Sequence, residues 1–322
     1  MMSDAIKNFA KQFSYEPIIE NGDGFIPKQK VIVAGMGGSA LAAGLLKTWN
    51  PSLDIIIHRD YGLPSIADEE KPHTLLVASS YSGNTEETLD AYDHAGKEGI
   101  ARVAVAVAGK LVEAAKKDRV PYIQLPNTGI QPRSALGFSF KAHLKFLGLS
   151  AALTECSALT KELDPAAFED DGKKLAEKLR GCIPIIYSSS RNESIAYNWK
   201  IKFNETGKIP AFFNCIPELN HNEMTGFDVK DTSRSLSEKF FFLFLRDKQD
   251  HPRVQKRMEI LGRLYKDRAL SVLAIDLEGV HPFYKIFSSL LLADWAAVYT
   301  AGMYGLESEQ VPMVEEFKKL VA

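Results

Sequence analysis

Short apolar runs and longer amphipathic segments alternate along the first half of this chain. Between the runs, apolar residues recur every three or four positions, which is typical of helices that bury one face. Apolar runs without regular polar positions are typical of strands inside a parallel sheet. The pattern therefore predicts an α/β fold with a doubly wound parallel sheet. The predicted strands are residues 31–34, 54–58, 74–79, 102–107 and 122–126.

The second half repeats this pattern after a helical stretch at 133–158 and a charged helix at 164–180. Its first strand, 183–187, leads into a serine-rich turn at 188–192 that lacks the glycine of the earlier turns. We interpret the second half as a degenerate copy of the first, with little phosphate chemistry of its own. The remaining predicted elements are strands at 240–245 and 270–275 and an apolar helix at 282–301, which Asp294 interrupts.

Two turns rich in glycine and hydroxyl residues follow the first and third predicted strands. They are residues 35–39 (Gly-Met-Gly-Gly-Ser) and 79–85 (Ser-Ser-Tyr-Ser-Gly-Asn-Thr). In a parallel sheet both turns lie at the carboxyl edge of the strands, where open α/β sheets bind ligands. Each turn also leads into a helix, whose free N–H groups and dipole favour an anion. The two turns predict a site for a phosphate monoester, with hydroxyl donors from Ser80, Ser82 and Thr85.

Two other interpretations of these turns remain open. Serine, glycine and asparagine are also the ordinary residues of turns and helix N-caps. The dinucleotide fingerprint G-x-G-x-x-G would need a glycine at the position of Ala40, so dinucleotide binding is the weaker alternative.

Composition and charge narrow the class of protein. The chain has 322 residues, of which 45% are apolar, a net charge of −2, and three cysteines without metal-ligand spacing. This balance does not favour nucleic acid or an acidic membrane surface as a partner. Because there is no uninterrupted apolar run of about 18 residues, the sequence does not predict a membrane span. We expect a cytoplasmic protein whose thiols are reduced.

Several segments resemble one family of sugar isomerases. These are GMGGSA at 35–40, SSYSGNTEET at 79–88, QPRSALGF at 131–138, NWKIKFNETGKIPAF at 198–212 and ELNHNE at 218–223, with the ending VPMVEEFKKL. Together they resemble the bifunctional phosphoglucose/phosphomannose isomerase family, whose members have the sugar-isomerase (SIS) fold. The resemblance implies two SIS domains, one at 1–158 with the phosphate-binding loops and one at 159–322 with catalytic residues.

The resemblance also implies an activity. It would be the interconversion of glucose 6-phosphate, and of mannose 6-phosphate, with fructose 6-phosphate through a cis-enediolate. No metal and no organic cofactor would be needed, and the protein would be a homodimer. The alternatives are another SIS sugar-phosphate isomerase and a regulator that binds a sugar phosphate without chemistry. A pure binder would not need a base, a ring-opening acid and a fixed cation together.

The same resemblance assigns the site residues. Glu205 would be the base, since FNE matches the base position and a helix end facing a loop suits a proton acceptor. His221 would open the sugar ring and would come from the partner subunit. Arg133 would stabilise the enediolate, and Lys318, with Lys319 as the alternative, would reach the ring oxygen. The phosphate would be bound by Gly38, Ser39, Ser80, Ser82 and Thr85.

Overall fold

The computed structural model of the protein describes residues 1–321. Within these residues, nine strands form two parallel sheets flanked by helices. The strands are β1 (Lys30–Ala34), β2 (Ile55–His58), β3 (Thr74–Ser79), β4 (Ala101–Ala106), β5 (Tyr122–Gln124), β6 (Ile183–Ser189), β7 (Phe212–Ile216), β8 (Phe240–Arg246) and β9 (Ser271–Asp276). The helices are α1 (Met2–Lys7), α2 (Gly38–Trp49), α3 (Glu86–Lys97), α4 (Lys110–Asp118), α5 (Leu136–Phe146), α6 (Ser150–Glu162), α7 (Glu169–Lys178), α8 (Glu193–Glu205), α9 (Glu223–Gly226), α10 (Arg234–Ser237), α11 (Pro252–Asp267), α12 (Pro282–Met303) and α13 (Pro312–Val321).

The chain forms two compact units, whose division differs from the predicted one at 158/159. The N-terminal unit is Asn8–Leu163, and the C-terminal unit consists of Met1–Lys7 with the residues from Asp164 onward. The predicted boundary falls inside α6, which continues to Glu162. The first helix packs on the C-terminal unit with Met2 and Ile6 buried, and Lys7 adds an ion pair with Glu169 and a cation–π contact with Trp295.

The sheet of the N-terminal unit has the order β2-β1-β3-β4-β5, and every pairing is parallel. Its central strand, β3, is buried along its whole length, as its uninterrupted apolar sequence predicts. Ile32, Leu76 and Ala104 pack on one side of the sheet with Tyr92 of α3 and Leu111 of α4. The five strands predicted from the sequence in this half are confirmed.

The sheet of the C-terminal unit has the order β7-β6-β8-β9, again entirely parallel. This matches the order of the first four strands of the N-terminal unit, so the two halves repeat one topology. The edge strand β7 was not predicted. Its sequence includes Asn214 and Cys215 and is only partly buried, so it lacks the apolar run that identified the other strands.

Two segments predicted as helical each contain more than one element. The helical stretch 133–158 consists of a 3₁₀ turn (Pro132–Ser134), α5 and most of α6. Gly148 lies between α5 and α6 with φ of 69°, in the left-handed region that ends a helix. The segment 164–180 begins as a 3₁₀ turn (Pro165–Phe168) because proline opens it.

The apolar helix α12 is the core helix of the C-terminal unit. By length and composition it could cross a membrane, but 72% of its most apolar window is buried inside the protein, as in core helices that pass the same test. Its interrupting residue, Asp294, accepts a 2.6 Å hydrogen bond from Lys202 of α8, and both side chains are buried. The charge inside the apolar helix is therefore paired within the chain, and α8 is attached to α12 at this point.

Candidate active site

The two glycine- and serine-rich turns of the N-terminal unit are in direct contact. The N–H of Tyr81 donates to Oγ of Ser39 at 2.9 Å, and the Ser79 hydroxyl donates to the Ser39 carbonyl oxygen at 3.0 Å. β1 and β3 are adjacent in the sheet, which brings their following turns to the same edge. The structure therefore places Ser39 of the first turn against the second turn, beside the first residues of α2.

The second turn is organised around the hydroxyl of Ser80. It lies 2.8 Å from Oγ1 of Thr85 and accepts the N–H groups of Gly83 and Thr85 at 3.1 and 3.4 Å. Ser80 is almost fully buried, whereas Ser82 is exposed and Thr85 is half-buried. Ser80 and the Thr85 hydroxyl thus shape the turn, and Ser82 is exposed on its outside. Direct phosphate binding by these hydroxyls stays a prediction.

A third segment completes this edge of the N-terminal unit. Gly38 lies so close to the Pro132–Ser134 turn that a Cβ there would be 2.7 Å from the backbone nitrogen of Arg133. Only glycine permits this approach, and it brings the predicted arginine next to the N-terminus of α2. The side chain of Arg133 is 1% exposed, which makes it one of the largest fully buried side chains of the chain.

The corresponding edge of the C-terminal unit is filled by carboxylates. The Ser189 hydroxyl, at the end of β6, donates to Asp250 at 2.7 Å, and Lys285 donates to Asp247 at 2.6 Å. Burial raises the pKa of Asp250. Because carboxylates occupy the positions next to the serine-rich turn, an anion is disfavoured there. This arrangement supports the expectation that the second half contributes little phosphate binding.

The predicted base, Glu205, is the last residue of α8 and is half-buried. Its carbonyl oxygen accepts a 2.6 Å hydrogen bond from Nζ of Lys208, which also donates to the carbonyl oxygen of Gln310. Lys208 lies just beyond the C-terminus of α8, where a cation complements the helix dipole. It also joins the end of α8 to the segment that leads into α13.

The other two predicted catalytic residues of the C-terminal unit are on the surface of the chain. His221 ends the 3₁₀ turn Glu218–His221 and is exposed. Lys318 lies on α13 with 63% of its side chain exposed and forms an ion pair with Glu315 at 2.8 Å. Lys319 is exposed on the same helix, so the choice between the two lysines stays a prediction.

The cysteines do not form a second reactive centre. Burial raises the pKa of Cys156 to about 12 and that of Cys215 to about 11, and it also raises the pKa of Cys182. These thiols are therefore protonated near neutral pH and are poor nucleophiles. Within residues 1–321, no group of three or more His, Cys, Asp or Glu side chains could hold a metal ion.

Comparison of the whole sequence with known proteins identifies the family of the chain. A bifunctional phosphoglucose/phosphomannose isomerase of Caldicellulosiruptor bescii is 36% identical over 91% of this chain and 89% of its own. One from Aquifex aeolicus is 32% identical over 98% of this chain and 96% of its own. The chain belongs to the bifunctional phosphoglucose/phosphomannose isomerase family. The family described as "Bacterial phospho-glucose isomerase C-terminal SIS domain" also matches residues 168–321, within the C-terminal unit.

A comparison with solved structures bears on the fold. The structure of glucosamine-6-phosphate deaminase from Thermotoga maritima superposes with a TM-score of 0.67 and covers 97% of this chain and 97% of its own. The two sequences are 15% identical, so the similarity concerns the fold alone. The family resemblance stated from the sequence motifs is confirmed, and so is the α/β fold with parallel sheets.

Sequence reasoning missed three residues near the predicted site of this family member. Lys208 could have been found from its position three residues after Glu205, where a cation suits a helix end. Tyr187 and Asn214 could not have been found in this way. They lie on β6 and β7 and meet Glu223 only because the sheet brings separate segments together.

Proposed function

We propose that the protein is an aldose–ketose isomerase that interconverts glucose 6-phosphate and mannose 6-phosphate with fructose 6-phosphate. In this proposal the two units are two SIS domains, and the N-terminal one binds the phosphate. The observation that carries the proposal is the bond between Ser39 and the N–H of Tyr81, which brings both Gly/Ser turns to one helix N-terminus. Hydrogen bonds to a dianion there would contribute about 1.5–3 kcal/mol each.

The proposed chemistry transfers one proton between C1 and C2. Glu205 takes the C2 proton of the open-chain aldose, and the electrons shift to the carbonyl oxygen at C1, which gives a cis-enediolate with its negative charge on that oxygen. The proton of the C2 hydroxyl then passes to the oxygen at C1, and the protonated Glu205 returns its proton to C1 as the oxygen at C2 becomes the ketone carbonyl. The guanidinium of Arg133 stabilises the negative charge of the enediolate without itself losing a proton.

Ring opening precedes this step, since hexose phosphates are mainly cyclic. His221 is proposed to exchange the protons of the anomeric hydroxyl and ring oxygen, with Lys318 beside that oxygen. The exposure of His221 on the chain supports a role in a neighbouring subunit's site, as the family resemblance implies. The active species would then be a homodimer. This residue chemistry needs no metal ion and no organic cofactor.

The direct test is turnover of fructose 6-phosphate by the purified protein with EDTA present. Glucose 6-phosphate and mannose 6-phosphate should both appear, and they should be measured as separate products. The Glu205→Gln variant, purified in parallel, controls for isomerases of the expression host. Binding of fructose 6-phosphate without either product would favour a regulator. Turnover of a different sugar phosphate alone would favour another SIS isomerase.

Gly83→Ala tests the phosphate-binding part of the proposal. Gly83 has φ of 74°, and a Cβ there would lie 1.7 Å from the carbonyl oxygen of Ala108, so the turn must move. Loss of one or two hydrogen bonds to the phosphate at about 1.5–3 kcal/mol each should raise KM for fructose 6-phosphate at least tenfold. Steady-state kinetics measures the change.

Gly99→Ala is the matched control for this substitution. Gly99 has φ of 69°, but a Cβ there would meet no atom within 4 Å. It therefore introduces a similar backbone strain, of about 1–2 kcal/mol, without the collision. Equal KM values for the two variants would show that the second turn does not bind the substrate.

A further inference from the structure

The turn that carries His221 is fixed in its first part, where Leu219 is buried in the hydrophobic core and Nη1 of Arg257, on α11, donates to Oδ1 of Asn220 at 3.4 Å. It begins after β7, and in it Glu218, His221 and Asn222 are exposed, whereas Leu219 is buried. The amide of Asn222 donates to Glu218 at 2.8 Å, but both residues belong to the turn itself. A catalytic side chain must be held within a fraction of an ångström of its productive position. The residues that follow His221 should therefore have an anchor of their own outside the turn.

Glu223, two residues after His221, connects the turn to the sheet. Its Oε1 accepts a hydrogen bond from the Tyr187 hydroxyl at 2.5 Å, and its Oε2 accepts one from Nδ2 of Asn214 at 2.5 Å. Tyr187 belongs to β6 and Asn214 to β7, so the carboxylate is bound by two adjacent strands. Charge-assisted hydrogen bonds of this kind are about twice as strong as neutral ones.

One partner of Glu223, Asn214, is restricted to donating, and the other, Tyr187, donates to it in the structure. The Oδ1 of Asn214 already accepts the N–H of Cys215 at 2.7 Å, which fixes Nδ2 toward Glu223. Tyr187 is fully buried, and burial raises the pKa of its hydroxyl, so it stays protonated. Its ring packs against Phe242 and Phe244 with centroid distances of 5.5 and 5.4 Å. The Tyr187 hydroxyl also lies 3.5 Å from the Tyr265 hydroxyl, so it has a second possible partner. A carboxylate at position 223 accepts from Tyr187 and Asn214 at once, one at each oxygen.

We propose that Glu223 is a positioning residue for His221. The carboxylate, bound by Tyr187 and Asn214, holds the His221 turn on the sheet, and it sets the orientation in which the imidazole can open the sugar ring. This inference rests on the proposed function, because it takes His221 as the ring-opening group. It adds a role for Glu223, Tyr187 and Asn214, which do not need to touch the substrate.

Glu223→Gln is the variant that tests this role. The glutamine keeps the size of the side chain, but it removes the negative charge and replaces one of the two acceptor oxygens by an N–H group, so both charge-assisted hydrogen bonds are lost. The turn should lose one anchor, and kcat should fall between about tenfold and 100-fold, as small misplacements of catalytic groups do. KM for fructose 6-phosphate should change less than twofold, because the phosphate turns belong to the N-terminal unit. Tyr187→Phe should lower kcat in the same direction.

A double-mutant cycle with His221→Ala distinguishes positioning from general destabilisation. If Glu223 acts through His221, adding Glu223→Gln to His221→Ala should produce no further loss of kcat. Independent, multiplied losses would overturn the proposal. Glu218→Gln is the matched control, because it lies in the same turn and its amide oxygen can still accept from Asn222. It should leave kcat within twofold of the wild type.

Hydrogen exchange provides a readout that does not depend on activity. The amides of residues 217–226 should exchange faster in Glu223→Gln than in the wild type or in Glu218→Gln, while the strands β6 and β8 stay protected. Unchanged exchange in this segment would overturn the anchoring role. If the wild-type protein turned over no hexose phosphate, the proposed function would fail, and hydrogen exchange would still decide whether Glu223 holds the turn.

Discussion

Replacement of Glu205 by glutamine is expected to lower kcat for fructose 6-phosphate by about 10²–10⁴-fold, the usual contribution of a general base. The amide has nearly the shape of the carboxylate but cannot take a proton from carbon. Because Glu205 ends α8 and is only half-buried, the substitution should leave the fold intact. KM should change little, since phosphate binding depends on the other unit. Steady-state kinetics and thermal unfolding of the same preparations measure both effects.

Glu193→Gln serves as the control for this prediction. Glu193 is an exposed carboxylate in the first turn of the same helix, so its replacement removes an equal charge from α8. It should retain the wild-type kcat. If Glu205→Gln kept more than a tenth of the wild-type kcat, another group would have to be the base, and the assignment of Glu205 would be wrong.

Replacement of Asp294 by asparagine should destabilise the protein by about 3–5 kcal/mol, the typical result of breaking a buried ion pair at one partner. Asp294 and Lys202 are each at most 5% exposed, and 2.6 Å separates their interacting atoms. Without the carboxylate, the buried ammonium group loses its counter-charge and cannot reach water. Urea unfolding at neutral pH, followed by circular dichroism, measures the free energy of unfolding of both proteins.

The double variant Lys202→Met with Asp294→Leu tests the cause of that loss. It removes both charges and fills the space with apolar side chains, which is often neutral or stabilising relative to a buried ion pair. The double variant should therefore be more stable than Asp294→Asn alone. Asp294→Asn with a free energy of unfolding within 1 kcal/mol of the wild type would show that the charge pair is not what holds α8 to α12.

The sequence was sufficient for most of both sheets and for the two Gly/Ser turns because these depend on local patterns. A strand buried on both faces is an unbroken apolar run, so β1, β3 and β8 could be located from composition alone. Turns that approach a ligand or another backbone need glycine and hydroxyl residues, and these stood at the ends of β1 and β3. The resemblance of the FNE and NHNE segments to the isomerase family then suggested roles for Glu205 and His221.

Local patterns did not show three features of the fold. The periodicity over 133–158 continues through Gly148, but the left-handed conformation of that glycine ends α5. The first helix precedes the N-terminal sheet in sequence, yet it packs on the C-terminal unit, where Lys7 contacts Glu169 and Trp295. The weak apolar pattern of β7 concealed an edge strand, because such a strand needs burial on fewer sides.

The sequence by itself thus determined the positions of all the described strands except β7, the two Gly/Ser turns, the parallel α/β class and the identity of the family. The tertiary structure alone decided which distant side chains meet. Asp294 became the partner of a lysine 92 positions away, and Glu223 became the acceptor for Tyr187 and Asn214. No local pattern contains such pairs, because a buried charge or a buried hydroxyl selects its partner by distance in the folded chain and not by spacing in the sequence.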